Sequence, residues 1–457
     1  MGAIVAQYAV LLYCAWRLAA LAAVGEPAWF IIILHGYSYT WLGLTPLVQY
    51  LAGENPLGVY LSGGVVIGQA LVVLVGLIVF DLVYGSTISS RARRRMKSAP
   101  RLRVLDVRRT VFLGIAAVIL TPVFVQSLGG FDVLFTSREA RTEVLFTSGL
   151  YSSDSKASGA ILTSFASVVP FVALYAMTAL LATKSYLRRK IDFIALYAAV
   201  VIVNIALNNP ISSSRFWFLV VVLSLCFVFP WSRSVLGVRS IIAAFVGGSV
   251  VLFPYLDAFR YSERTQDSRG IAEMILEKSD YDSMVQVGNA ITYVTQTGYS
   301  MGENLLGALL FWVPRSIWPD KPIDTGTELA QYVSYHNPNL SAPLWAEGYW
   351  AFGIVGVVLV FWLLGYVCGR LSYVDSVQRR LFGSFNGWAF ILAPLAVYEV
   401  LILRGSLLQA MSRLTVLVFL LVACTAVVSM PEALRVNSTA SGSGSGGRSR
   451  IGVQGGR

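Results

Sequence analysis

Long apolar runs separated by short polar connectors fill most of this chain, and one long polar segment interrupts them late in the sequence. A helix needs roughly 20 mostly apolar residues to cross the hydrocarbon core of a bilayer. Runs of that kind are Ala3 to Val24, Gly58 to Val83, Thr110 to Leu128, Gly159 to Ala182 and Ile191 to Leu207. They continue with Phe216 to Pro230, Ser240 to Leu256, Tyr349 to Cys368, Leu381 to Leu403 and Leu407 to Met430. The stretch Ala28 to Leu51 is apolar but holds His35, several hydroxyls and Pro46, which suits a broken span or an interfacial helix. Counted as a span, it brings the expected total to about 11, within a range of 10–12. The pattern predicts an all-α polytopic membrane protein.

Composition agrees. Hydrophobic residues make up 56% of the chain and charged residues 13%, about half the charged fraction of a soluble domain. The formal charge of +11 does not point to nucleic acid, because the basic residues cluster between apolar runs. The connector Tyr84 to Arg109 alone carries nine Lys/Arg, and Lys184, Arg188, Arg189 and Lys190 crowd the next connector on the same side. The positive-inside rule makes that side cytoplasmic. Cys14, Cys226, Cys368 and Cys424 each fall in an apolar run and read as small buried hydrophobes. The first run lacks a basic n-region, so it reads as a span rather than a cleavable signal peptide.

This orientation divides the chain into N-terminal spans (1–257), a large outer loop (258–348), C-terminal spans (349–430) and a disordered cytoplasmic Ser/Gly/Arg tail (431–457). The outer loop is too long to lack elements of its own. Met284, Val287, Ile291 and Val294 recur at helical spacing, as do Leu305, Leu306, Leu309 and Leu310. Both stretches predict helices lying on or dipping into the interface. Pro314 and Pro319 end the second and expose Arg315.

Cations on the outer side are the first candidate chemistry. Arg215 starts a span, Arg260 and Arg264 follow one, Arg315 and Lys321 sit in the loop, and Arg404 occupies the turn before the last span. Several guanidiniums converging would grip a diphosphate bidentately without a metal, although cations near helix ends also snorkel to headgroups. Arg413 lies inside the last span at the depth of Glu399 on its neighbour. It either pairs with that carboxylate or lines a ligand cavity.

Carboxylates come next. Asp280 and Asp282 precede the first loop helix, where Asp282 is a candidate N-cap. Glu347 sits where the chain re-enters the membrane. Asp282 or Glu347 could act as a general base if burial lifted its pKa from about 4 towards neutrality. His336 is the one outer-loop histidine and an alternative base. No metal-ligand spacing, GxSxG or phosphate-cradling Gly loop is present.

Pro314-Arg315-Ser316 with Trp318-Pro319-Asp320-Lys321-Pro322 and then Gly326 form the most specific motif. Asp280-Tyr281-Asp282, Ser214-Arg215-Phe216, Pro343-Leu344-Trp345-Ala346-Glu347 and Arg404-Gly405 accompany it. Over about a third of its length the chain thereby resembles the bacterial oligosaccharide repeat-unit polymerases, the Wzy-like O-antigen and exopolysaccharide polymerases. That resemblance implies a metal-independent, cofactor-free glycosyltransferase of the GT-C membrane type in the bacterial cytoplasmic membrane. Its substrate would be an undecaprenyl-diphosphate-linked oligosaccharide, with membrane lipids, a chain-length regulator and a flippase as partners. Arg215, Arg315 and Arg404 would hold the diphosphate, supported by Arg260 and Lys321. Glu347, in preference to Asp282, would be the base. Trp318 and Trp345 would stack on sugar rings or anchor the loop at the interface. The alternatives are a ligase that moves a finished glycan and a transporter.

Overall fold

The computed structural model describes residues 1–89, 102–137, 140–141, 143–144, 156–211, 213–255, 270–337, 340–382, 385 and 387–428. Arg260, Arg264, the connector segment 90–101 and the tail lie outside the described residues. The chain opens with α1 (Gly2–Val24), α2 (Trp29–Ala52) and α3 (Gly63–Ile88). Strand β1 (Leu102–Leu105) leads into α4 (Val107–Ile119) and α5 (Thr121–Ser127), a pair bent by 53°. Then come α6 (Lys156–Thr183), α7 (Ile191–Leu207), α8 (Arg215–Val228) and α9 (Val235–Val251). The late polar segment folds into α10 (Ile271–Glu277), α11 (Ser283–Thr297), α12 (Glu303–Leu309) and α13 (Thr325–Tyr332). The chain closes with α14 (Leu344–Phe382), α15 (Gly387–Arg404), α16 (Leu407–Ala423) and strand β2 (Thr425–Val428).

Among the described residues, six helices are long and apolar enough to cross a membrane, and the bent α4–α5 pair makes seven. The protein is therefore a helical, multi-pass membrane protein. The remaining four expected spans, α7, α8, α9 and α16, have 14 to 17 residues. That is a rise of roughly 21–26 Å, short of a core about 30 Å thick. The bundle has an inside and an outside: 83% of the apolar stretch of α2 is buried, against 22% for α1. Large side chains such as Leu12 and Trp16 remain exposed on α1, as suits a helix solvated by lipid rather than water.

The ambiguous stretch around Pro46 forms one helix, with a π-helical segment at Ser38–Leu44 in its middle. Pro46 has no N–H to give the Leu42 carbonyl one turn earlier. Gln7 of α1 takes its place, donating its Nε2 to Leu42 O at 2.8 Å and to Gly43 O at 3.2 Å. A neighbouring helix thus satisfies the backbone that sequence reading left broken.

Helix α14 packs along α3 through Gly365 and Gly369, where a Cβ would stand 2.9 Å from the Phe80 carbonyl oxygen and from Thr87 Cβ respectively. Small residues let two membrane helices approach closely. Near its start α14 is sharply kinked: Gly353 has φ 62° and ψ −143°, beside Phe352 at φ −149°. The arm before the kink folds back so tightly that a Cβ on Gly356 would strike the Gly348 carbonyl oxygen at 2.0 Å.

Basic residues collect where several helices end. Arg239 donates to the Ala22 and Ala23 carbonyls of α1, Arg188 to Leu181 and Ala182 of α6, and Arg109 to Ala423 at the end of α16. Each satisfies carbonyls that a helix C-terminus leaves free and opposes the negative end of its dipole. The predicted last span stops at Ala423, and β2 pairs antiparallel with β1, Leu102 opposite Val428 and Leu105 opposite Thr425. The start of α15 abuts β1, since a Cβ on Gly387 would meet the Arg103 carbonyl. Arg404, 17 residues further on in α15, therefore stands about 26 Å away at the opposite end.

Candidate functional site

The first half of α11 is enclosed, Ser283 to Ala290 all being buried, polar Gln286 and Asn289 among them, while its last turn is exposed. Helix α2 holds the segment in front of it. Trp41, in the π-helical segment, donates its indole N–H to the Asp280 carbonyl at 3.0 Å. Gln49 Nε2 donates to the carbonyls of Tyr281 and Ile275, and Tyr37 Oη to Ser283 Oγ. Tyr281 Oη in turn donates to the Ser249 carbonyl of α9. These bonds fix residues 280–283 against the bundle.

Among the described residues, Arg215 and Arg404 reach Asp280 from elements far apart in sequence. Arg215 Nη2 bonds Asp280 Oδ2, and Arg404 Nη2 lies 3.5 Å from Oδ1. Arg404 also stands 3.4 Å from the Asp280 carbonyl oxygen and 3.8 Å from Asp282 Oδ1. Arg215 is the first residue of α8, an end whose dipole disfavours a cation and so favours one held by an anion. Each guanidinium lies over an aromatic ring, Arg215 over Phe253 and Arg404 over Phe216, both at 4.7 Å. Those rings pack together at 4.9 Å. Stacking fixes the planes of both forks.

Asp282 occupies the N-cap position of α11, but its side chain makes no cap bond. Its Oδ2 instead accepts the Ser341 backbone N–H at 3.0 Å, and buried Oδ1 has no hydrogen-bond partner. Burial pushes this carboxyl above the ordinary aspartate range, against the opposing pull of Arg404 and the Ser341 bonds.

Glu347 is fully engaged. Oε2 accepts from Asn304 Nδ2 at 2.9 Å and Thr325 Oγ1 at 2.7 Å, while Oε1 accepts from the Leu407 backbone N–H at 2.9 Å and Ser406 Oγ at 3.4 Å. It caps α16 and ties α12 and α13 to the turn after Arg404. The Ala342 N–H donates to the Arg404 carbonyl, so Asp282 and Glu347 flank the same turn from two sides.

The remaining predicted residues that the structure describes lie elsewhere. Arg315 donates to the carbonyls of Pro319 and Pro322, and Lys321 Nζ to those of Phe311 and Val313. Both cations close their own loop, because its prolines and tight turns leave carbonyls without amide partners. Burial and the nearby Arg315 hold the Lys321 ammonium below its usual range. Helix α12 stops at Leu309, before either proline. Trp345 is buried and donates to the Val73 carbonyl of α3, which removes it from any sugar or interface, whereas Trp318 is half-buried. His336 is exposed and packs on Tyr335.

Arg413 stacks on Trp217 at 4.9 Å, and its expected pair with Glu399 is not formed. Glu399 is buried with no partner on either oxygen. The two match in depth but not in direction.

Sequence reading also missed a polar cluster among α1, α2 and α3. Asp81 lies 2.9 Å from Arg17 Nε, 3.1 Å from His35 Nε2 and 2.7 Å from Tyr13 Oη. A carboxylate only accepts, so Nε2 of His35 carries the hydrogen; buried Nδ1 has no partner. Isolated charges in apolar runs, Arg17 and Asp81, were the available signal. Comparison of the chain with protein-family models, with curated proteins and with solved structures finds no match.

Proposed function

We propose that the protein is an oligosaccharide repeat-unit polymerase that moves a growing glycan from undecaprenyl diphosphate onto the next lipid-linked repeat unit. The observation that carries this reading is the meeting of Arg215 and Arg404 at one carboxylate, at the helix ends remote from the basic face. With the basic face cytoplasmic, that position is extracytoplasmic, and the four short apolar helices complete eleven passes in a GT-C-like arrangement.

Cleaving the anomeric C–O bond builds oxocarbenium character on the sugar and negative charge on the departing diphosphate. Stacked, fixed guanidiniums suit the second charge, because preorganised donors in a partly dry site need no rearrangement as charge develops. The acceptor hydroxyl must lose its proton. Asp282 serves that role better than Glu347, since it keeps an oxygen free of hydrogen bonds while Glu347 has spent both on structure.

The test is to give the purified protein the lipid-linked repeat unit, with and without chelator. A ladder of products in both conditions supports the reading. A single transfer to a foreign acceptor points to a ligase, and product only with added divalent ion refutes the arginine mechanism.

A second reading is transport, favoured by Glu399 and the Asp81 cluster, because ionisable groups within membrane helices commonly mark proton or substrate paths. Proteoliposomes that move lipid-linked glycan across the bilayer without joining units would establish it.

A further inference from the structure

Arg413 is a cation within an apolar helix that the arginine pair does not use. Its guanidinium lies over the Trp217 ring at 4.9 Å. Among the described residues it makes no hydrogen bond and no ion pair, and its buried Nε has no partner. Glu399, the carboxylate at its depth, leaves both oxygens unpaired and does not meet it. A charge held among apolar helices is costly unless an anion or water reaches it.

The surroundings hold this side chain in place. Trp217 donates its indole N–H to Asn208 Oδ1 at 2.8 Å, and Asn208 Nδ2 donates to the Ser167 carbonyl at 2.9 Å. Ser412, next to Arg413, meets Ser164 at 3.1 Å, which fastens α16 to α6. Trp217 is the third residue of α8 and Arg413 the seventh of α16. Both helices begin at the end where Arg215 and Arg404 meet, and helical side chains lean towards their N-termini. The guanidinium therefore sits near that end rather than at mid-span. Gln409 stands one turn closer to it on the same face, exposed and with its side-chain amide unbonded among the described residues. Val418 and Phe419, further along α16, are exposed, so a ligand carried on a hydrocarbon chain can approach from the side.

Arg404 stacks on Phe216 and Arg413 on Trp217, consecutive residues of α8. Successive helical positions point about 100° apart, which separates the two guanidiniums. We infer that Arg413 and Gln409, on the Trp217 platform, form a second site, distinct from the arginine pair, for the phosphate group of a membrane-embedded lipid. A guanidinium fork grips phosphoryl oxygens bidentately, and the neighbouring amide adds a further donor. The heads of bilayer phospholipids and of prenyl carriers present this same chemistry. The site goes beyond the polymerase reading and does not depend on it.

The experiment titrates the detergent-solubilised full chain with phosphatidylglycerol and, separately, farnesyl diphosphate, counting bound molecules by native mass spectrometry. Arg413→Gln is expected to weaken one bound molecule at least tenfold, while Arg404→Ala leaves that molecule in place. Loss confined to phosphatidylglycerol assigns the site to bilayer phospholipid, loss confined to farnesyl diphosphate assigns it to the prenyl carrier, and loss of both means that it reads the phosphate alone. Gln409→Leu, on the exposed face, should weaken the same molecule about threefold and serves if Arg413→Gln does not fold. Binding of both lipids that is unchanged in the folded variants overturns the site. Binding that Arg413→Gln and Arg404→Ala abolish alike reveals one shared site and overturns the inference as well.

Discussion

Glu347 accepts the backbone N–H of Leu407 at 2.9 Å, so a buried carboxylate from one helix caps the first turn of another 60 residues later. A glutamate at a membrane re-entry point invites a catalytic reading, yet its oxygens are occupied by Asn304, Thr325, Ser406 and Leu407. Glu347→Ala leaves those buried donors without an acceptor, at about 1–3 kcal/mol each. The variant is expected to unfold at least about 3 kcal/mol more easily in detergent denaturation, while Glu347→Gln costs less. A stable Glu347→Ala protein that has lost only its activity would return Glu347 to the chemistry.

Arg215→Lys and Arg404→Lys keep the charge but lose the planar fork and its stacking on Phe253 and Phe216. Polymer formation should fall on the order of 100-fold in each, as for loss of one preorganised donor to a developing charge. Product-ladder assays at matched protein amounts check this. Near-normal ladders would show that charge alone suffices.

Asp282 supplies a pH test. A base works ionised, and burial raises this carboxyl above the ordinary value of about 3.9. Activity should therefore climb with pH through that raised value, and Asp282→Asn should lack the limb. Stability moves the other way: the folded state holds the proton to higher pH than the unfolded chain, so this group's contribution falls as pH rises from the ordinary value through the raised one. A wild-type profile flat from pH 4 to 7 (about 3 units) would exclude Asp282 as base.

Arg315 and Lys321 belong to the loop rather than to the arginine pair. Arg315→Ala should change farnesyl diphosphate affinity by no more than about twofold. Lys321→Ala leaves the Phe311 and Val313 carbonyls without their donor, at about 1–3 kcal/mol. Limited proteolysis should then cut the 311–322 loop faster. Loss of ligand affinity in Arg315→Ala would restore it to the site.

Gly353 adopts φ 62° and ψ −143°, beneath the Tyr299 ring. A side chain there is strained by backbone and neighbour together, so Gly353→Ala should lower stability by about 1–3 kcal/mol. Thermal unfolding in detergent measures it.

Hydropathy alone placed most helices, because the bilayer demands length and apolarity from each segment independently. The convergence of Arg215 and Arg404 was legible in part, since one opens a helix and the other closes one on the same expected side of the membrane. What depended on direction was not. Glu399 and Arg413 share a depth, but one residue turns a helix by about 100°, and Arg413 faces Trp217 beside Tyr398 rather than Glu399. The contacts of Arg315 and Lys321 were equally hidden, because a strongly turned loop presents its own carbonyls to its own cations. The Asp81 cluster needs three helices at once, and no periodicity within one run reveals it.

The ribbon of β1 and β2 fastens the exit of α16 to the entrance of α4, and to the start of α15 through Arg103. A pushrod pinned at its far end cannot slide. Movement of Arg404 must therefore come from swivelling at the free end of α15, with the four paired positions of the ribbon as the fulcrum.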